Sequence, residues 1–187
     1  MSENPMAPKE LKEKGLLIIY TGEGKGKSTA AFGMVYRALG WGHKVSVIQF
    51  MKGKWRTGDR KFAEKLMEIH ENLKFSTMGE GFTWESEDLN IDKAAAQGAW
   101  SKAKGYIQSG GCFLLVLDEI TYAINFQFID LADVMETIKN RPVSLTVVLT
   151  GRQVPPELVE MADLVTEMKK IKHPFDQGIP AKPGVDF

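Results

Sequence analysis

A glycine-rich loop between an apolar run and a helical segment constrains this chain more than any other feature. The run GLLIIY leads directly into TGEGKGKST and then into AAFGMVYRALG. Glycines let the backbone turn with its amides pointing inward, and the following helix offers its positive N-terminal end to an anion. The order of strand, loop and helix therefore predicts a loop that holds the polyphosphate of a nucleoside triphosphate.

The residues of this loop have distinct predicted parts. We expect Lys27 to reach phosphate oxygens and the Ser28 hydroxyl to bind magnesium. The other predicted ATP-binding residues are Gly22, Glu23, Gly24, Lys25, Gly26 and Thr29. Counted back from Gly26, the first glycine of the usual G-x-x-x-x-G-K-S spacing falls on Thr21, so we expect Gly22 to take that role in a tighter loop. For Lys25, contact with phosphate and a solvated position remain equal alternatives, and a flexible lysine-bearing hairpin is the alternative for the whole loop.

Two acidic residues follow a second buried run. FLLVL ends in Asp118 and Glu119, where a magnesium site is normally completed, and magnesium prefers oxygen ligands. If the strand continued, the two side chains would point to different faces, so we expect only one to face the metal. The alternative is that one of them caps the helix after the strand.

Alternation of apolar runs with helical segments predicts the fold class. Near-continuous apolar runs suit strands that are covered on both faces. We predict an α/β, P-loop NTPase-like fold with a mainly parallel β-sheet flanked by helices, in a single domain. The predicted strands are 16–20, 45–50, 73–77, 113–117, 145–149 and 164–168; the predicted helices are 27–39, 60–71, 91–108, 131–140 and 156–162.

The two ends of the chain do not fit the alternation. Residues 1–14 are polar and are expected to fray or to fold over a ligand or a neighbouring subunit, as a possible lid. Residues 15–187 form the predicted domain, including an irregular C-terminal tail from residue 169. This tail carries three prolines and two glycines, which favour irregular chain that wraps the domain, with disorder as the alternative.

Composition excludes several classes of partner. The 187 residues include 24 Lys plus Arg and 24 Asp plus Glu, so no net field draws the protein to nucleic acid or to an anionic membrane. No apolar stretch approaches the roughly 18 residues needed to span a bilayer. The single Cys112 cannot form an internal disulfide, and we expect it to pack as a small hydrophobe rather than act as a redox thiol. With no apolar signal-peptide core at the start, we expect a cytoplasmic protein.

The loop Met78–Glu87, MGEGFTWESE, introduces a resemblance to a known family. Here the chain resembles the ATP:corrinoid adenosyltransferases of the cobalamin pathway. The resemblance spans residues 15–187, and its motifs occur in the order of that family: TGEGKGKSTAAFG, VIQFMKGKWRTGDR, GEGFTWE, VLDEITYA, LTGR and KHPFDQGIPAKPGVDF. Glu23 departs from the pattern, because asparagine is frequent at that position.

The resemblance implies transfer of the 5′-deoxyadenosyl group of ATP to the cobalt of a Co(I) corrinoid, with release of triphosphate. It implies that ATP is held in reverse relative to ordinary P-loop enzymes, with Lys27 and the loop amides neutralising the departing polyanion. It also implies Mg²⁺ or Mn²⁺ held by Ser28 and Glu119, with Asp118 supporting them, a homodimer, and a reduced flavin or flavoprotein as electron donor.

The resemblance also assigns Phe82 and Trp84 to the corrinoid, as catalytic residues. They would form an apolar wall that excludes water and the displaced lower ligand of cobalt, so that the metal can be reduced. The alternative is that both rings are packing anchors of a long loop. Arg152, in LTGR, is expected either to meet a phosphate or to lie on the surface. The alternative functions are a small-molecule kinase or NTPase and a delivery module that binds ATP and a corrinoid without turnover.

Overall fold

The chain folds into one parallel sheet with helices on both faces. The structure is a computed structural model that describes residues 14–50, 57–78 and 89–187. The strands are Leu17–Thr21 (β1), Val45–Gln49 (β2), Leu73–Thr77 (β3), Leu114–Asp118 (β4), Thr146–Thr150 (β5) and Leu164–Glu167 (β6). Their order in the sheet is β3-β2-β4-β5-β1-β6, and all neighbouring strands are parallel. The predicted α/β fold class, with a single domain, is confirmed.

The helices of the described residues agree closely with the predicted ones. They are Lys27–Gly40 (α1), Gly58–Ile69 (α2), Leu89–Ser109 (α3), Ile120–Asn125 (α4), Leu131–Lys139 (α5) and Pro156–Met161 (α6). Helix α2 begins two residues before its predicted start because the Thr57 side chain caps it, accepting a hydrogen bond of 3.3 Å from the Arg60 amide. The bounds of α4 were not predicted, since six residues are too few to show a helical period.

The central strands of the sheet are buried on both faces, which explains their near-continuous apolar runs. Helices α1 and α2 cover one face, where α1 packs on Ile18, Val116 and Val148. The other four helices cover the opposite face over a second cluster that includes Leu117 and Leu149. All five residues of β4 are buried. A central parallel strand of this kind cannot alternate apolar and polar side chains, because neither of its faces meets water.

Parallel strands bring all their carboxyl ends to one side of the sheet. We call this side, at Thr21, Gln49, Asp118 and Thr150, the carboxyl edge; the side where the strands begin is the amino edge. Ligands of open α/β sheets bind outside the carboxyl ends of the strands. The fold therefore places the loop after β1 and the acidic pair after β4 on the same edge.

The tail crosses the carboxyl edge as irregular chain, as predicted, with one 3-10 turn at Pro174–Gln177. It passes the phosphate loop, where Lys25 forms an ion pair with Asp186. It ends near α2: a Cβ on Gly58 would lie 3.8 Å from the Phe187 carbonyl oxygen. Residues 1–13, which make up nearly all of the proposed lid, lie outside the described residues. None of the helices in the described ranges is both long and apolar enough to cross a membrane.

Candidate active site

The loop between β1 and α1 needs its glycines because it lies against the end of β6. Gly22 and Gly26 have φ angles of 98° and 113°, in a region of backbone conformation that residues other than glycine rarely adopt. A Cβ on Gly22 would lie 2.6 Å from the Met168 carbonyl oxygen, and one on Gly24 would lie 2.7 Å from the same atom. The Gly24 amide donates a hydrogen bond of 2.6 Å to that oxygen. Gly22 thus occupies the tight turn that the offset spacing predicted.

The Lys27 side chain folds back over this loop. Its ammonium group donates hydrogen bonds to the carbonyl oxygens of Gly22 and Gly24, at 2.7 and 2.8 Å. Burial lowers the pKa of Lys27, and the nearby positive charge of Arg152 lowers it further. An arriving polyphosphate would supply anionic oxygens to an ammonium group whose two acceptors among the described residues are neutral carbonyl oxygens.

The first turn of α1 follows immediately and has the character of an anion site. Gly26 occupies the N-cap position with no capping side chain, and the first turn contains no acidic residue. Neither a capping side chain nor a carboxylate of the first turn therefore compensates the positive end of this helix. Ser28 is half-buried and Thr29 is exposed in this turn. The structure therefore places Lys27, Ser28 and Thr29 beside the loop amides.

Asp118 is fixed by a buried network that crosses four strands. Its Oδ1 accepts a hydrogen bond of 2.7 Å from the Thr150 hydroxyl, and its Oδ2 accepts one of 3.0 Å from Nε2 of Gln49. Oε1 of Gln49 accepts in turn from the Thr77 hydroxyl at 3.3 Å. Asp118, Gln49 and Thr150 are fully buried. Gln49, Thr77 and Thr150 were missed from the sequence, because only strand order shows that their ends are neighbours.

Glu119 leaves the strand direction instead of continuing it. It takes the N-cap position of α4 with φ 63°, and its side chain makes no capping hydrogen bond. Its amide donates to the Thr150 hydroxyl at 2.9 Å. The charges of Glu119 and Asp118 both act to raise the pKa of Lys27, so the two carboxylates lie close to the loop lysine. The capping alternative is therefore not observed for Glu119.

The oxygen donors at this edge fit a magnesium or manganese ion. The Ser28 hydroxyl and the Glu119 carboxylate are hard oxygen ligands of the type that Mg²⁺ prefers. Asp118 suits a supporting position, since each of its carboxylate oxygens already accepts a hydrogen bond. No cluster of three or more His, Cys, Asp or Glu side chains suited to a metal occurs in residues 14–50, 57–78 and 89–187. An ion here would thus complete its shell with water and phosphate oxygens, which is usual for Mg²⁺.

Two ion pairs flank the loop, and neither was predicted. Lys25 pairs with Asp186, and hydrogen bonding from Lys25 is the main cause that lowers the pKa of Asp186. Arg152 pairs with Glu23 at 3.0 Å between a guanidinium nitrogen and Oε2. The partners are more than a hundred residues apart in the chain, so no local pattern links them. In this structure Lys25 contacts the tail through its ion pair with Asp186, and its side chain is half-exposed. The two alternatives left open by the sequence, contact with phosphate and a solvated position, did not include this partner.

The proposed corrinoid residues Phe82 and Trp84 lie outside the described residues. The described chain before them ends at Met78, whose amide donates to the Gln49 carbonyl oxygen at 3.0 Å.

Two histidines have structural contacts: His43 stacks on Phe113, and His173 accepts a hydrogen bond from the Phe175 amide. Cys112 is buried, which raises the pKa of its thiol and agrees with the predicted packing role.

Comparison with known proteins gives matches along nearly the whole chain. The model of the family described as ATP:corrinoid adenosyltransferase BtuR/CobO/CobP matches residues 13–187. A corrinoid adenosyltransferase of Sinorhizobium is 48% identical over 94% of this chain and 81% of its own length. Those of Pseudomonas aeruginosa and Escherichia coli K12 are 45% and 40% identical, over 94% of this chain and 85% and 87% of theirs.

A solved structure supports the fold. A KaiC-like protein from Pyrococcus horikoshii superposes with a TM-score of 0.54, covering 86% of this chain and 75% of that protein. The sequence identity is 16%, so this similarity concerns the architecture of the sheet and its helices alone.

Proposed function

This chain belongs to the ATP:corrinoid adenosyltransferase family and is a transferase of cobalamin biosynthesis or salvage; we propose how its residues carry out the transfer. A Co(I) corrinoid attacks C5′ of the ATP ribose with the cobalt electron pair. The cobalt–carbon bond forms while the C5′–oxygen bond breaks, and that electron pair leaves with the triphosphate. The kinase, NTPase and delivery-module alternatives are not favoured, since the matching relatives are named corrinoid adenosyltransferases.

The observation that carries the proposal is the position of Lys27. Its ammonium lies over the glycine loop and its partners are neutral carbonyl oxygens. We propose that Lys27 and the amides of the loop Gly22–Thr29, except that of Gly24, which donates to the Met168 carbonyl oxygen, take up the charge that develops on the leaving triphosphate. Charge-stabilising groups that are already in place before the reaction need no reorganisation during it, and such groups commonly contribute about 10²- to 10³-fold each.

The divalent ion belongs to the same proposal. Mg²⁺ or Mn²⁺, when bound, would neutralise part of the polyphosphate charge. Ser28 and Glu119 would hold it, and Asp118 would orient the edge through its bonds to Gln49 and Thr150. The chain contributes the fixed geometry of these oxygens.

The residues proposed to contact the corrinoid, which accepts the adenosyl group, are inferred from the sequence. We propose that Phe82 and Trp84 exclude water and the displaced lower ligand from one face of the corrin, and that a reduced flavin or flavoprotein supplies the electron for Co(II). A homodimer, a lid formed by residues 1–14 and a cytoplasmic location stay predictions of the same kind.

One incubation separates the three functions. The protein is mixed with ATP, Mg²⁺ and a chemically reduced corrinoid, with no other protein present. We expect loss of the Co(I) spectrum, a light-sensitive adenosylcorrinoid and stoichiometric triphosphate. ADP or free phosphate as the product would identify a kinase or NTPase, and binding of both ligands without turnover would identify a delivery module.

A further inference from the structure

The turn that follows β5 is held rigidly at the carboxyl edge. Gly151 has a φ of 141°, and a Cβ at this position would lie 2.0 Å from the Thr121 hydroxyl oxygen. The Thr121 hydroxyl donates a hydrogen bond of 2.7 Å to the Arg152 carbonyl oxygen, and Nδ2 of Asn125 donates one of 3.1 Å to that of Gln153. Helix α4 therefore binds two consecutive carbonyl oxygens of this turn, those of Arg152 and Gln153.

The side chain carried by this turn reaches the phosphate loop. A guanidinium nitrogen of Arg152 lies 3.0 Å from Oε2 of Glu23, and both side chains are about half-exposed, at 47% and 56%. Exposed ion pairs add little to stability. The small stabilisation from this ion pair therefore does not explain why α4 holds the turn with two hydrogen bonds.

The charges around the pair point to an anion. Arg152 and Lys27 are close enough that the positive charge of Arg152 lowers the pKa of Lys27, after the larger effect of burial, while Glu23 raises it. Two cations held beside the same glycine loop repel each other, and an anion that both can contact removes that cost. A guanidinium presents parallel N–H groups that match two phosphate oxygens.

We propose that Arg152 is a triphosphate-binding residue that Glu23 holds beside the glycine loop, and that its guanidinium passes from the Glu23 carboxylate to a phosphate group when ATP binds. This rests on the proposed function, because it takes the glycine loop as the site of the ATP triphosphate. Glu23 then competes with the polyphosphate for Arg152. The same competition assists release of the triphosphate product.

The test is a double-mutant cycle on binding of inorganic tripolyphosphate, measured by calorimetry with Mg²⁺ present. Arg152→Ala should weaken binding about tenfold and raise KM for ATP similarly, with KM for the corrinoid unchanged, because it removes a charge-assisted contact. Arg152→Lys should recover part of the loss. Glu23→Gln should tighten binding about threefold with Arg152 present, since the competitor is removed, and clearly less in the Arg152→Ala background.

Arg37→Ala is the matched control, because it removes the same charge from the last turn of α1 at the amino edge. Tripolyphosphate binding within twofold of wild type in Arg152→Ala, or an equal effect of Glu23→Gln in both backgrounds, would overturn the proposal. Adenosyl transfer by the wild-type protein is followed separately. A wild type that binds tripolyphosphate through Arg152 without adenosylating a corrinoid would contradict the proposed function and leave the assignment of Arg152 supported.

Discussion

The two edges of the sheet both use polar side chains, but to different ends. At the carboxyl edge, Thr77, Gln49, Asp118 and Thr150 bond to one another across four strands and fix an acidic pair beside the glycine loop. At the amino edge, Asp163 binds separate segments of chain: it accepts hydrogen bonds of 2.8 Å from both the Lys14 ammonium and the Leu17 amide.

The difference shows where polar side chains serve chemistry and where they serve folding. The carboxyl-edge network orients side chains toward a place where an anion and a metal can meet. The amino edge instead joins β6 to the start of β1, and beside it Trp41 is 80% exposed. Substitutions at the first edge should change catalysis, and equivalent substitutions at the second should change stability or nothing measurable.

The largest expected effect is that of Lys27→Ala. Removing the ammonium leaves the departing triphosphate without its main side-chain cation, so kcat/KM for ATP should fall by about 10³-fold. Steady-state kinetics with preformed Co(I) corrinoid checks this. Lys25→Ala is the matched variant in the same loop, and we expect a much smaller loss because Lys25 pairs with Asp186 of the tail. Unchanged kinetics in Lys27→Ala would remove the basis of the phosphate-loop assignment.

Substitution of the predicted corrinoid wall comes next. Phe82→Ser or Trp84→Ser should lower the rate from Co(II) with a biological reductant about tenfold more than the rate from preformed Co(I), because water and the lower ligand regain access to the metal. The two assays run in parallel on each variant. Trp41→Ser, at the amino edge, should change neither. Equal losses in both assays would assign Phe82 and Trp84 to packing instead.

A smaller effect compares the two ends of one strand. Thr150→Val removes the hydroxyl that donates to Asp118 and accepts from the Glu119 amide. It should lower kcat by about tenfold and the free energy of unfolding by about 1–3 kcal/mol, since buried partners lose their hydrogen bonds. Thr146→Val, at the amino end of β5, removes only a bond of 3.2 Å from the Leu16 amide. It should leave kcat unchanged; an equal fall in kcat would contradict the proposed difference between the edges.

The fold was largely predictable because its signals are local. Apolar runs without alternation indicate buried parallel strands, and β1 to β6 lie within a residue or so of the predicted ones. The glycine loop was predictable for the same reason, since strand, loop and helix are contiguous. Glu119 was identified as a metal candidate, but its φ of 63° was not predicted, because its amide contacts Thr150 on a strand that is distant in sequence.

The contacts that were not predicted join distant parts of the chain. Arg152 could be assigned to a phosphate or to the surface from the sequence, but its pairing with Glu23 depends on β5 and β1 being neighbours. The same holds for Gln49, which contacts Asp118 because β2 lies beside β4. Strand order is a property of the whole sheet, and a single sequence carries no local signal for it.

The smallest expected effect on catalysis belongs to Asp163, the residue that joins the segments of the amino edge. Hydrogen bonding from Lys14, followed by that from the Leu17 amide, lowers the pKa of this carboxyl group. A carboxyl group with a lowered folded-state pKa stabilises the protein above its unfolded-state pKa, and this contribution is lost as the pH falls through the folded-state pKa.

Asp163→Asn should lower the free energy of unfolding by about 0.5–1 kcal/mol at neutral pH, where the charged hydrogen bonds are intact but are screened by water. Denaturant melts of both proteins, repeated at decreasing pH, should show the difference shrinking as the wild-type carboxylate becomes protonated. The specific activity should match wild type at a temperature where both proteins are folded. A fall in kcat under those conditions would mean that the amino edge acts on the site after all, because the lengths of β1 and β6 separate Asp163 from the phosphate loop.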